Sequence, residues 1–202
     1  LTNRVRYSEI FENQENHNID FCHNSLIKQE NRLFGKIASE ALDLNENEMS
    51  RLYEEDLYQL ILHEVGHTLG LNHNFAASSL HNNSDIHNPE ITYKEGLSSS
   101  VMDYHALNIA PIGVKQGQYA DIKPGKYDIL AIKYGYTPEL SKKDLNNMLD
   151  EYSSDEYLFG NDGDDMRSPG KGIDPRINTG DMTNNPVEYA KDRIILSQNL
   201  IP

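Results

Sequence analysis

The sequence predicts a predominantly helical domain joined by long irregular loops, and three observations lead there. Apolar residues are scarce, at 37%, with a mean hydropathy of -0.68 and no tryptophan, so they must be gathered into a few amphipathic segments. Those segments repeat at helical spacing, whereas strand-like alternation is poor throughout. Between them, residues 72–124 are rich in Asn, Ser, His, Gly and Pro and weakly periodic. With 202 residues the chain suits a single domain, 1–202, or the greater part of one.

The elements follow in order. Residues 21–42 place Leu26, Leu33, Phe34, Ile37 and Leu42 near a 3.6-residue period and predict a first helix. Asn45 and Asn47 can cap a second, which runs from about Met49 to Leu69 on Leu52, Leu57, Leu60, Ile61 and Val65. Gly70 stands where a helix most easily ends in the left-handed conformation. Residues 72–124 predict a long ordered loop, which at that length is usually functional. Later helices are expected at 125–134, ended by Gly135, at 141–152, and at 186–199. In the last of these Pro186 takes a favoured first position and Asn184 or Asn185 caps.

Charge and composition exclude several partner classes. A formal net charge of -14 opposes binding to nucleic acid or an anionic membrane, both of which need clustered Lys and Arg. No apolar run is long enough to span a bilayer. The N-terminus "LTNRVRYSEI" has neither an initiator Met nor a signal peptide's apolar core, which leads us to expect a piece of a longer precursor. Cys22 is the only cysteine, so an intrachain disulfide is impossible; a small buried hydrophobe is expected there rather than a nucleophile.

The chemistry concentrates in "HEVGHTLGLNH", residues 63–73. On a helix, His63 and His67 are four residues apart and project from one face, where both imidazoles can bind one ion. Glu64 points off that axis, toward a water beside the ion. A sharp turn at Gly70 can bring His73 back as a third ligand and leave a fourth position open, which is the arrangement of a catalytic and not a structural zinc site. The bland alternative is a helix that happens to be rich in polar side chains, and the added Gly70 and His73 make a chance match rare. His17, His23, His81, His87 and His105 lack ligand spacing and are expected to be solvated or hydrogen-bonded.

Farther on, "SSSVMDY", residues 98–104, supplies a Met followed two residues later by a Tyr. Together the two stretches resemble the metzincin zinc metallopeptidases, with their extended His-Glu-x-x-His-x-x-Gly-x-x-His motif and a Met-containing turn below the metal. The wording of residues 57–196 is also similar to large bacterial zinc-dependent metalloproteases of uncharacterised substrate. The resemblance implies an α+β zincin catalytic domain holding one Zn2+ on His63, His67 and His73. It also implies Glu64 as general base, Met102 as the floor of the site and Tyr104 as a movable extra ligand or oxyanion stabiliser. For Tyr104 an ordinary packed tyrosine stays open. Residues 105–113, "HALNIAPIG", are expected to wall the pocket for the residue after the cut.

Metzincins place a mixed sheet ahead of the active-site helix, and the residues before His63 read as helical; the sheet is expected upstream of Leu1 or reduced. An extracytoplasmic location and a protein or peptide substrate are further implications of the resemblance, which leaves the oligomeric state open. Two other functions stand beside it: a zinc hydrolase of a non-peptide amide or ester, and a non-catalytic peptide-binding module that keeps zinc for stability. The retained Glu64 speaks against the module. Residues 161–165, "NDGDD", could bind calcium, but an incomplete loop pattern favours an acidic surface turn.

Overall fold

A computed structural model of the chain describes residues 24–165, 172 and 174–200. The expectations for Cys22, His17 and His23 fall outside these residues. Helix α1 spans Asn24–Ala41 and α2 spans Glu46–Thr68. Asn45 caps α2, its side chain accepting from the amides of Asn47 and Glu48, and Gly70 ends it at φ 84°. Within the long loop lie a short helix α3, Pro89–Glu95, capped by Asn88, and single 3-10 turns at Ala77–Leu80 and Asp85–His87. Helix α4, Lys126–Tyr136, continues through Gly135, one of the places where the expected boundary fell short. Helix α5, Lys142–Glu151, is capped by Ser141, and α6 spans Pro186–Leu200 with the Asn185 side chain accepting from the Glu188 amide.

No strand occurs among the described residues, so they are helical and irregular rather than α+β. The physical reason lies in how the loop satisfies its backbone. Residues 97–110 are buried throughout, and a buried amide must find an acceptor. In place of a ladder, several amides of this stretch and of the loop around it find carboxylates. Asp121 Oδ1 accepts from the amides of Leu97 and Ser98 at 2.9 and 3.2 Å. Asp128 Oδ2 takes Val101 N at 2.9 Å, and Asp103 Oδ2 takes Ser78 N at 2.8 Å. Glu55 Oε2 takes Tyr119 N at 2.5 Å. The long loop is ordered by its side chains.

The main apolar core joins Ala38 of α1, Leu52 of α2, Leu107, Ile109, Tyr119 and Ala120 of the loop, and Leu196 and Leu200 of α6, with Phe34 and Leu42 packed against it. Arg193 of α6 stacks over the Phe34 ring at 3.9 Å. A second cluster gathers Ile86, Leu97, Ala106, Met182 and Tyr189.

Helix α2 does not turn all of its periodic apolar residues inward. Leu52 is buried, but Leu57, Ile61 and Val65 are exposed, by 51%, 52% and 47%. The buried face carries Glu55, Asp56, Gln59, His63 and Gly66. Lys28 of α1 bonds Asp56 Oδ1 at 2.9 Å and Gln59 Oε1, and Arg32 bonds Asp56 Oδ2 at 2.6 Å. Gln59 in turn meets His105 Nε2 at 2.6 Å, which lies 3.1 Å from Asp121. Burial pushes the Lys28 ammonium down while Asp56 holds it up. This polar seam fixes α2 against α1 and the loop.

Candidate metal centre

The last two turns of α2 carry the first two histidines, and the left-handed Gly70 returns the chain so that His73 faces them. One ring nitrogen from each of His63, His67 and His73 lies within 4.8 Å of the others. Ring centroids are 4.7 Å apart for His63 and His67, 4.8 Å for His67 and His73, and 5.4 Å for His63 and His73. Among the described residues no other group of three or more His, Cys, Asp or Glu converges in this way.

Each imidazole is held by its Nδ1. His63 Nδ1 lies 2.8 Å from the Val101 carbonyl, and His67 Nδ1 lies 3.1 Å from the Leu71 carbonyl. His73 Nδ1 lies 2.8 and 3.0 Å from the two carboxylate oxygens of Asp162. Since these partners only accept, each Nδ1 carries a proton and Nε2 is the nitrogen left to bind an ion. Burial pushes the His63 imidazole down to about 3, opposed by its bond to Val101, so it stays neutral at ordinary pH. Its Nε2 is buried with no hydrogen-bond partner. An orphaned lone pair beside two more imidazoles fits a divalent ion that takes nitrogen ligands, zinc first among them.

Met102 is fully buried, and its sulfur lies against Gly66, between His63 and His67 on α2. A Cβ at Gly66 would collide with that sulfur, which explains the glycine inside "HEVGH". The turn bearing Met102 is anchored by Asp128, whose carboxylate accepts from Ser100 Oγ at 2.5 Å, Val101 N at 2.9 Å and Gly125 N at 2.8 Å. A Cβ at Gly125 would strike the Ser99 carbonyl, so α4 can start this close only with glycine. Asp128 thus holds the carbonyl that orients His63.

Tyr104 is buried, and its hydroxyl meets His73 Nε2 at 2.7 Å, donating to the lone pair that Asp162 leaves there. Phe75 stacks on His73, with centroids 5.3 Å apart and planes at 22°, and also meets the Tyr104 ring at 5.1 Å. Glu64 is exposed, its carboxylate without a side-chain partner among the described residues. His81 and His105 are buried and hydrogen-bonded, as expected; His87 is partly buried with an unpartnered Nδ1, and burial pushes it down to about 4. Of residues 105–113, His105–Ala110 sit in the interior, which leaves only the segment around Ile112 exposed to act as a pocket wall.

The sequence pattern supplied the three histidines, Glu64, Met102 and Tyr104, and the fold brings the histidines and Tyr104 together, sets Met102 against Gly66 between the first two, and leaves the Glu64 carboxylate exposed. It did not supply Phe75, Asp128 or Asp162. Asp128 had a local signal, three residues after a glycine that opens a helix. Asp162 had none, being 89 positions from its partner.

Three convergent imidazoles on a helix and the turn after it, over a buried methionine turn, define a zincin-type centre of the Met-turn kind. A family model described as Met-zincin matches residues 45–202, and the chain belongs to that family. Comparison with curated proteins and with solved structures gave no significant match.

Proposed function

We infer that the protein is a zinc-dependent endopeptidase. One observation carries the reading: all three Nδ1 atoms are committed to acceptors, so Nε2 is the nitrogen each ring has left for an ion; that of His63 is buried with no partner, and that of His73 meets the Tyr104 hydroxyl, which an ion would displace. His63, His67 and His73 would hold the zinc, and three protein ligands leave a position for water. When bound, zinc supplies Lewis acidity to a water molecule and to a carbonyl oxygen.

The chain's own groups do the rest. Glu64, next to His63 and open to solvent, accepts the proton of the attacking water and later delivers it to the leaving amine. The Tyr104 hydroxyl, 2.7 Å from His73 Nε2, would leave that nitrogen to the ion and donate instead to the oxygen that gains charge as the peptide carbon becomes tetrahedral. Met102 and Phe75 keep the floor and one side of the site apolar.

The test is zinc content by elemental analysis together with digestion of casein, on the unmutated chain and Glu64→Gln. We expect one zinc per chain in both proteins, and cleavage reduced about 10²–10⁴-fold by the substitution. Zinc without cleavage in the unmutated chain would favour a binding module or a non-peptide hydrolase. No bound zinc would remove the metallopeptidase reading altogether.

A further inference from the structure

The acidic turn at residues 161–165 folds against the chain that carries the third histidine. Asn74, next to His73, donates from Nδ2 to the Leu158 carbonyl at 3.0 Å and accepts at Oδ1 from Gly160 N at 3.1 Å. Phe75 N donates to the Gly160 carbonyl at 2.7 Å. The turn then closes on itself: Gly163 N donates to Asn161 Oδ1 at 2.8 Å, Asp164 N to the Asn161 carbonyl at 2.9 Å, and Asn161 N to Asp164 Oδ2 at 3.2 Å. Asp162 is left at the tip, with its carboxylate on His73 Nδ1. The same side chain is 65% exposed, so burial does not account for its placement.

The three imidazoles are therefore held unequally. His63 and His67 donate to neutral backbone carbonyls, and His73 donates to a charged carboxylate. A hydrogen bond to an ionised acceptor is about twice as strong as one between neutral groups. Carboxylates in this place fix the tautomer of a ligating histidine and strengthen its opposite nitrogen as a donor.

We propose that Asp162 is a positioning residue of the metal centre and that the 161–165 turn exists to present it to His73, not to bind calcium. The inference rests on the zinc reading above. The turn's other polar groups agree with it: Asp164 serves the Asn161 amide, and among the described residues no three carboxylates converge there.

Zinc affinity of the full chain, measured by competition with a chromogenic chelator, tests this directly, alongside the visible spectrum of the cobalt-substituted protein. Asp162→Ala should bind zinc about 10–100-fold more weakly, with an altered cobalt spectrum and an unchanged melting temperature of the metal-free chain. Asp162→Asn, which keeps an acceptor but loses the charge, should fall between. Asp150→Ala removes an equal charge from an exposed position on α5 and should stay within about twofold of the unmutated chain. Equal affinity in Asp162→Ala and the unmutated chain would overturn the proposal alone, as would an equal loss in Asp150→Ala. A calcium-dependent rise in melting temperature that Asp162→Ala abolishes would overturn it in favour of a calcium loop. Failure of the unmutated chain to bind zinc would bring down the metallopeptidase reading and this proposal with it.

Discussion

Ser78 joins two buried acids: its amide donates to Asp103 Oδ2 at 2.8 Å and its hydroxyl to Asp181 Oδ1 at 2.9 Å. Burial raises both carboxyls, Asp103 well above the usual range with Asp181 adding to it, and Asp181 to about 6 against the Ser78 bond. A raised carboxyl favours the folded state when protonated. Between about 4 and about 6 the folded chain holds more protons at Asp181 than the unfolded chain, so this group's contribution is full below that window and is lost as pH rises through 6. Asp181→Asn keeps an acceptor for Ser78 and cannot ionise. Its stability advantage should grow from nearly nothing near pH 3 to on the order of 1–3 kcal/mol above pH 7, read by urea unfolding at each pH. A difference that stays flat with pH would refute the assignment. Single residues were legible in the sequence where their partners are close, as in the 63–73 motif. Asp103 and Asp181 were not, because nothing local marks an acid as buried.

Helix α2 shows both sides of that limit. Its length, its Asn45 cap and its end at Gly70 were legible, because caps and left-handed glycines act within a turn or two. Its inward face was not. Apolar periodicity names a face but not the neighbour, and here the interior is reached through Asp56 and Gln59, whose partners lie on α1 and beyond Tyr104. An inverted helix makes a sharp prediction. Leu52→Ala, at 2% exposure in the main core, should cost about 2–5 kcal/mol, whereas Ile61→Lys, at 52% exposure, should stay within about 0.5 kcal/mol. Chemical unfolding of the two variants decides it, and a large loss for Ile61→Lys would show that this face is covered in solution. Leu57, Ile61, Val65 and Leu69 make a continuous apolar stripe on that side, beside the exposed Glu64.

At the scale of the molecule, carboxylates among the described residues accept from loop amides that no strand pairs, so the helical reading holds there and no strand supports the α+β one. Asp128 is the clearest instance, since it serves Ser100, Val101 and Gly125 at once. Asp128→Ala would strand buried donors at about 1–3 kcal/mol each, so a loss of about 3 kcal/mol or more in unfolding free energy is expected. Zinc affinity should fall with it, because Val101 orients His63. A variant as stable as the unmutated chain would show that the turn is held by other means. The same acids are part of the -14 net charge, so the surface is less negative than composition implies. They also set the tempo of folding. These bonds bridge 25 residues from Ser78 to Asp103, 28 from Ser100 to Asp128, 64 from Glu55 to Tyr119 and 89 from His73 to Asp162. Helices form in microseconds from local contacts, while closures across such distances come late. On these grounds the helices are expected to form before the place that holds an ion.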